Sequence, residues 1–280
     1  MPVNDELGKR MKEYYENIPK NKLMRRTPVI IRLDGKAFHT FTKGFNKPFD
    51  KVLSNTMVDT MKFLCESIQG CVFGYCQSDE ISLLLTDYKT FETEAWFDYE
   101  VQKVCSVSAA IATLAFNRLF SMYIDDYVRE LLKVEGYCVE DERKYIETLK
   151  NALNKGALFD SRCFNIPKEE VVNYFYWRQL DAMRNSVQMV GQANFSSKEL
   201  DHKTCENIKE MLLSQKNINW NDLPIWQQRG TCCYRYGDGR FENGEWKTKR
   251  KWMIDSHPPI FKNEGRMYIE SIMRKENNDD

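Results

Sequence analysis

The order of β-rich and helical patterns in residues 1–167 constrains the fold more than any other feature of the sequence. β-rich runs cover residues 28–34, 71–77, 81–86 and 159–166. Helical patterns lie between the first and second runs and between the third and fourth. The order βαββαβ predicts a ferredoxin-like α+β domain, a layout shared by polymerase palms and nucleotide cyclases. Both helices then pack on one sheet face, and we expect the other face to be free for a substrate.

The helical patterns have recognisable boundaries. Asp50 is a candidate N-cap, and apolar residues recur at helical spacing from Leu53 to Ile68 before Gly70 ends the pattern. Small and apolar residues from 103 to about 127 predict a long buried helix. The charged residues 130–155 predict a helix at the surface.

The chain changes character after Pro167. A helix is predicted over residues 169–191, and Ser196 to Glu199 resembles a capping box that starts another helix. Strands are predicted over residues 231–236 and 245–254, around glycine-rich turns at 237–239 and 243–244. We therefore divide the chain into a palm-like catalytic domain, residues 1–167, and a helical and β-hairpin region, residues 168–280.

The composition excludes several classes of protein. With 41 basic and 41 acidic side chains, a nucleic-acid or membrane partner would have to be met by a local patch. Nine cysteines without a C-x-x-C and only three histidines disfavour a disulfide scaffold or a zinc site, and indicate reduced thiols. The polar N-terminus and the lack of an apolar stretch approaching about 18 residues predict a cytoplasmic protein without a membrane span.

Three acidic residues stand where predicted strands end. Asp34 closes the first apolar run and is followed by Gly35, and Asp79 and Glu80 lie at the tip of a predicted hairpin. If these strand ends meet in one sheet, the carboxylates form a cluster able to hold divalent cations, which indicates phosphoryl or nucleotidyl transfer. The alternative is that Asp34 and Asp79 are ordinary turn residues.

The loop of residues 35–48 is a candidate phosphate-binding segment. Its backbone N–H groups could cradle phosphates, and Lys36, Lys43 or Lys47 could neutralise them, although the P-loop pattern is absent. His39 could contact a base or sugar, and a structural hydrogen bond is an equally open alternative. No G-x-S-x-G occurs, so a nucleophilic triad has little support.

Two basic segments are candidate nucleic-acid contacts. Residues 247–252 combine four cations with Trp252, and Trp246 flanks them, which suits phosphate contacts and base stacking. Residues 20–26 form the second candidate. A solvated charged surface is the alternative for both, and the aromatic stripe of residues 173–179 is typical of a core.

Four blocks resemble a known family. RLDGKAFH at residues 32–39 and QSDE at 77–80 closely resemble the tRNA(His) guanylyltransferase superfamily. FDSR at 159–162 and YWRQ at 176–179 match its later blocks, in the right order. The resemblance implies a palm-like domain that adds nucleotides in the reverse, 3′-to-5′, direction to the 5′ end of tRNA.

The resemblance also implies roles for individual residues. Asp34 and Asp79 would be side-chain ligands of two Mg²⁺ ions, assisted by the Gly35 carbonyl, and Glu80 would be an adjacent acid needed for activity. Lys47 and Lys103 would contact the triphosphate. The nucleotide pocket would be formed by Asp34, Gly35, Lys36, Ala37, Phe38, His39, Ser78 and Asp79.

One departure from the family pattern selects a branch. Eukaryotic members carry His-Ile-Asn-Asn-Leu-Tyr-Asn where this chain has Met-Arg-Asn-Ser-Val-Gln-Met at residues 183–189. This resembles the bacterial and archaeal guanylyltransferase-like branch, whose members repair truncated 5′ ends by template-dependent addition. The implied substrates are tRNA, met at its 5′ end and acceptor stem, with ATP and GTP or another nucleoside triphosphate. A homotetramer is implied as well, with residues 168–280 contacting tRNA and other subunits.

Three alternatives remain open. A strict tRNA(His) guanylyltransferase would add one G at position −1 without regard to pairing. A palm-type nucleotide cyclase would use the same metals on a free triphosphate. A non-catalytic RNA-binding module would keep residues 247–251 without needing the acids.

Overall fold

A single antiparallel sheet of six strands, in the order β4–β1–β3–β2–β5–β6, forms the centre of the computed structural model. The structure describes residues 5–133, 142–242 and 245–275, without the side chains of 238–249 and 275. The strands are β1 Val29–Gly35, β2 Cys71–Gln77, β3 Glu80–Leu85, β4 Phe159–Asn165, β5 Thr231–Glu242 and β6 Glu245–Asp255. The fold is therefore a mixed one, with helices packed on one sheet.

Helices connect and cover these strands, and the first four strands follow the predicted βαββαβ order. Asp50 caps α3 as predicted, because its side chain accepts a hydrogen bond from Leu53 N at 2.9 Å. The capping box of Ser196 and Glu199 is confirmed at α7. The helices are α1 Glu6–Met11, α2 Phe38–Phe41, α3 Lys51–Ser67, α4 Val101–Leu131, α5 Arg143–Lys155, α6 Val171–Asn194, α7 Ser197–Leu200, α8 Cys205–Lys216, α9 Ile225–Arg229 and α10 Arg266–Lys275.

The predicted main core lies between one sheet face and the helices α3 and α4. On β1, Val29, Ile31 and Leu33 point into this core, as the two-residue period predicts. Met61 of α3 and Phe116 of α4 are fully buried against them.

The opposite sheet face is covered, so the expectation that it would be free for a substrate was wrong. Ile30, Phe73 and Leu84 point to this face and pack against α6 and α10, including Phe175 and Ile269. The physical reason is that the strands carry apolar residues on both faces, and each face must be removed from water. At the end of the sheet where β1 ends this face becomes polar, with Asp34 at the end of β1, Glu80 at the start of β3 and Asp160 at the start of β4.

The C-terminal region extends the same sheet instead of forming a separate one. β5 pairs with β2 between Cys76 and Thr231, and α6 packs on the sheet. The glycine-rich segment 237–239, predicted as a turn, continues β5 in pairing with β6. The other predicted turn, residues 243–244, lies outside the described residues, as do residues 134–141 of the predicted surface helix.

Helix α4 is long and apolar enough to cross a membrane by length and composition, with a window of mean hydropathy 1.4. The sequence-based statement that no apolar stretch approaches this length was therefore wrong. Small residues such as alanine and serine interrupt the larger apolar side chains in α4 and hide the length of its apolar segment. Core helices meet the same criterion, and Phe116, Phe120 and Ile124 of α4 are buried in the main core. A role as a core helix accounts for this composition.

Eight cysteines lie in the part of the chain that the structure describes, and all eight are free thiols. Five are buried, namely Cys65, Cys71, Cys76, Cys232 and Cys233. The reduced state of the cysteines stays a prediction; Cys138 lies outside the described residues.

Candidate functional site

Asp34 and Asp79 meet at one end of the sheet. Asp34 is the register partner of Glu80 on β3, and the Gly35 N–H donates to the Asp79 carbonyl oxygen at 3.1 Å. Ser78 has a φ of 50°, which turns the chain sharply between β2 and β3. The antiparallel pairing of β1 with β3 therefore places the end of one strand beside the hairpin tip, as the sequence predicted.

The Asp34 carboxylate lies between two arginines. Its Oδ1 is 3.2 Å from Arg32 Nη2, and its Oδ2 is 3.0 Å from Arg162 Nη2. Oδ2 is buried and accepts no hydrogen bond, since the Arg162 contact lacks hydrogen-bond geometry. A buried carboxylate oxygen without a hydrogen bond is unusual and is suited to a cation ligand.

Asp79 has a raised pKa. Burial is the main cause, and the negative charge of Asp34 raises the pKa further, while hydrogen bonds from its own backbone and from Ser78 oppose the shift. The two carboxylates are thus close enough to repel each other. A cation between them would relieve this repulsion.

The residues present suit an oxygen-ligated cation. Two carboxylates and the Gly35 carbonyl are the hard oxygen donors that Mg²⁺ prefers. Within the described ranges, no group of three His, Cys, Asp or Glu side chains is placed to hold a metal. Water and substrate phosphate oxygens would have to complete the coordination, as is usual for Mg²⁺ sites.

Glu80 does not join this pair of acids. Its side chain is buried, and both oxygens accept hydrogen bonds from Arg178 of α6 at 2.7 Å. Arg32 Nη2 lies 2.9 Å from Glu80 Oε2. Burial raises the pKa of Glu80, against the lowering effect of Arg178 and Arg32. Sequence reasoning missed Arg178, although it lies in the YWRQ block that carried the family resemblance.

The segment after Asp34 is fixed by aromatic packing. A Cβ at Gly35 would lie 2.2 Å from the Phe38 ring, so only glycine allows this ring to pack so close to the backbone. Phe38 contacts Phe116 and Phe159, with ring centroids 5.5 and 5.3 Å away. The loop is thereby held at the end of the sheet.

A cavity of about 450 Å³ opens beside Asp79. Of the predicted site residues, it is lined by Gly35, Ala37, Phe38, His39, Lys47, Ser78 and Asp79. Met189 and Gln192 of α6 complete the wall, which sequence reasoning did not foresee because α6 belongs to the other region of the chain. This volume is in the range of small-molecule sites.

Lys36 and His39 are both predicted nucleotide contacts, and the structure gives them different surroundings. The Lys36 N–H donates to the Leu158 carbonyl oxygen at 2.8 Å, so this backbone donor serves the sheet edge and not a phosphate. His39 is exposed, and its Nε2 lies 3.0 Å from Thr40 Oγ1. Its ring is therefore accessible at the cavity wall.

Lys103 lies at the opposite end of the sheet from Asp34. Lys103 lies two residues after Val101, whose N–H donates to the Asn21 carbonyl oxygen. Met24, three residues after Asn21, donates its N–H to Asn165 Oδ1 at the far end of β4. The Lys103 ammonium is 3.7 Å from Glu100. Within one chain, the structure does not bring Lys103 to the cavity lined by Lys47.

The two basic segments, residues 20–26 and 247–252, differ in how much of their charge is used within the chain. In residues 20–26, Lys22 contacts Asp98, and Arg25 binds Asp87 at 2.9 Å, so several of these cations serve internal ion pairs. These ion pairs reduce the positive charge that the segment can offer to RNA, and its role in RNA binding stays a prediction. In residues 247–252, Trp252 is half-buried, with the Arg235 guanidinium 5.0 Å from its ring. The side chains of residues 246–249 lie outside the described set.

The chain matches a known protein family. Residues 8–167 match the family described as tRNAHis guanylyltransferase, Thg1, which covers more than half of the chain. The chain belongs to this family. It is therefore a nucleotidyltransferase of tRNA processing, and the resemblance seen in the sequence is confirmed.

Related proteins extend the match beyond residue 167. A solved bacterial tRNA(His) guanylyltransferase-like protein in complex with ATP is 39% identical, with a TM-score of 0.75 over 95% of this chain and 98% of that chain. The complex of such a protein with GTP gives 37% identity and a TM-score of 0.71 over the same shares. A probable tRNA(His) guanylyltransferase of Dictyostelium discoideum is 25% identical over 83% of this chain and 86% of its own length.

Proposed function

We propose that this chain repairs the 5′ end of tRNA by template-dependent 3′-to-5′ nucleotide addition. The observation that carries the proposal is the pairing of β1 with β3, which places Asp34 beside the hairpin tip at Asp79, where Asp79 and Lys47 line one cavity. Oxygen ligands for Mg²⁺ and a cation for a triphosphate thus border one space. The ATP and GTP complexes of the similar bacterial proteins support nucleotides as its occupants.

The proposed reaction has two steps. A 5′-monophosphate oxygen of tRNA attacks the α-phosphorus of ATP, which forms a 5′-adenylylated end and releases pyrophosphate. The 3′-hydroxyl of an incoming nucleoside triphosphate, such as GTP, then attacks the 5′-phosphorus, loses its proton and displaces AMP. No side chain becomes covalently bound to a substrate.

The chain's own residues would bind and orient these groups. Asp34, Asp79 and the Gly35 carbonyl would hold two Mg²⁺ ions, which supply Lewis-acid stabilisation of phosphate charge and a lowered hydroxyl pKa when bound. Lys47 would neutralise the triphosphate, and the aromatic anchor at Phe38 would keep the loop in position. The strand order β4–β1–β3–β2 supports the finer proposal of a ferredoxin-like, polymerase-palm sheet.

The choice of repair over strict guanylation is supported by α6. Residues 183–189, where the chain departs from the eukaryotic pattern, include Met189 of the cavity wall. Asn185 and Ser186 line a neighbouring cavity that also contains Met189. The departure therefore falls where an incoming nucleotide or its template would be selected. A nucleotide cyclase or a non-catalytic module fits less well, since the family match and both acids favour nucleotidyl transfer to tRNA.

Further parts of the proposal concern assembly and location. We propose a cytoplasmic homotetramer in which residues 168–280 contact tRNA and other subunits. Exposed apolar side chains on α4, such as Leu114 and Met122, offer a surface for a second copy. The exposed cation Lys251 and the accessible part of Trp252 on β6 offer contacts for RNA.

The decisive test offers a 5′-truncated tRNA that is not a histidine tRNA, 5′-monophosphorylated, together with ATP, the four nucleoside triphosphates and Mg²⁺. We expect extension that restores the acceptor stem and stops at full length, read by sequencing gels. A 3′ strand with altered templating bases should change the added nucleotides accordingly. Product from full-length tRNA(His) only would overturn the repair proposal in favour of strict guanylation.

Replacing the two candidate triphosphate lysines should give different results. Lys47→Ala should raise the KM for the nucleoside triphosphate about 10- to 100-fold, because a charge-assisted hydrogen bond contributes about 1.5–3 kcal/mol. Steady-state kinetics with saturating tRNA measure this. Lys103→Ala is the matched variant, and its effect should be small if each chain uses only its own lysines. A large effect of Lys103→Ala that appears only in the assembled oligomer would place Lys103 in the site of a neighbouring copy.

A further inference from the structure

Glu80 is held on all sides by groups of the chain itself. It is 4% exposed, its two oxygens take a two-pronged contact from Arg178 at 2.7 Å, and Ser82 Oγ lies 3.4 Å away. Moving this carboxylate to a metal would remove one of the two carboxylates that the buried Arg178 guanidinium contacts, which is destabilising. The carboxylate is therefore poorly placed to ligate a cation or to carry a proton.

A continuous chain of ion pairs runs from Arg178 to Asp34. Arg32 Nη2 lies 2.9 Å from Glu80 Oε2 and 3.2 Å from Asp34 Oδ1, so one nitrogen bridges the two carboxylates. Arg32 Nε is buried without a hydrogen-bond partner. The orientation of Arg32 therefore depends on Glu80 and on the face of Trp177, 6.0 Å away.

The same contacts fix helix α6. Arg178 is 5% exposed, donates to Asp181 at 2.7 Å, and lies over the Trp177 ring at 4.3 Å. Three to four turns further along α6, Met189 and Gln192 line the candidate nucleotide cavity. Glu80 thus joins the strand that begins directly after Asp79 to the helix that closes the cavity.

From this geometry we infer that Glu80 and Arg178 are positioning residues: together they hold Arg32 against Asp34 Oδ1. Asp34 Oδ2, which accepts no hydrogen bond and lies 3.0 Å from Arg162 Nη2, is left as the oxygen for a metal ion. The inference rests on the proposed metal-binding role of Asp34 and Asp79. It assigns Glu80 no contact with substrate or metal.

Mn²⁺ binding in the presence of GTP, followed by electron paramagnetic resonance, tests this role without activity. Glu80→Gln and Arg178→Gln should each weaken Mn²⁺ binding about 10- to 100-fold, the usual effect of losing a group that orients a metal ligand. The double variant should lose no more than the weaker-binding single variant, because both changes break one chain of contacts. Losses that multiply in the double variant would overturn the inference.

Arg178→Lys keeps the positive charge but cannot make the bidentate hydrogen bond to Glu80, so this variant remains informative if Glu80→Gln does not fold. It should weaken Mn²⁺ binding as well; unchanged binding in this folded variant would contradict a positioning role. Arg129→Gln is the matched control, because Arg129 is exposed on α4 and pairs with Asp126, away from the contacts of Glu80 and Arg178. If the proposed metal-binding role of Asp34 and Asp79 were wrong, the result would be different: the variants Asp34→Asn and Asp79→Asn would bind Mn²⁺ as tightly as the parent chain.

Discussion

Asp79→Asn should abolish nucleotide addition while leaving tRNA binding nearly intact. The substitution keeps the size of the side chain and removes the charge that would hold Mg²⁺ beside Asp34. Metal ions contribute several kcal/mol of charge stabilisation in such reactions, so we expect a rate loss of at least about a thousandfold. Single-turnover extension of a 5′-monophosphorylated tRNA measures the rate, and filter binding measures tRNA affinity.

Asp201→Asn serves as the control for this change. The Asp201 side chain is 70% exposed, and within the described residues its ion-pair contact is with His202. Its rate should match that of the parent chain. If Asp79→Asn retained more than about a tenth of the parent rate, the assignment of Asp79 as a metal ligand would be wrong.

Phe116→Ala should destabilise the fold and weaken nucleotide binding together. Phe116 is fully buried and packs against Phe38, Phe41 and Phe159. Truncating such a side chain costs about 3–5 kcal/mol, since it leaves a cavity as well as losing apolar contact. The melting temperature should fall by on the order of 10 °C for a chain of this size.

The nucleotide effect follows from the position of Phe38. This ring lies against Gly35 and lines the candidate nucleotide cavity, so a void beneath it should loosen the loop and raise the dissociation constant for GTP. Calorimetric titration below the melting temperature measures this constant. Phe63→Ala is the matched control, since Phe63 is 42% exposed on α3 and should change stability by less than about 0.5 kcal/mol. If Phe116→Ala lost stability but kept its GTP affinity, the aromatic cluster would have no role in holding the nucleotide cavity.

Local patterns were sufficient to predict the elements that lie next to one another in sequence. The alternation along β1, the cap at Asp50 and the capping box at Ser196 all depend on residues within a few positions of each other, and all are confirmed. The glycine-rich segment 237–239 was predicted wrongly, because cross-strand pairing with β6 outweighs the turn preference of its glycines.

Contacts between distant segments decided the rest of the site. Arg178 is separated from Glu80 by 98 positions, and no local pattern indicates that the two side chains meet. Lys103 illustrates the reverse case, since the direction of α4 across the sheet carries it away from Asp34. The covered second sheet face has the same origin, because α6 and α10 follow β4 in the chain and return to pack on it.

The sequence by itself determined the strand that ends in Asp34-Gly35, the hairpin tip at Asp79 and the family to which these motifs belong, because each is written in a short run of residues. Only the tertiary structure decided that Asp34 keeps an oxygen free of hydrogen bonds, that Glu80 is bound by Arg178, and that α6 closes the cavity with Met189 and Gln192. These features depend on distance, burial and direction between elements far apart in the chain, which arise when the sheet and its two helical layers pack together.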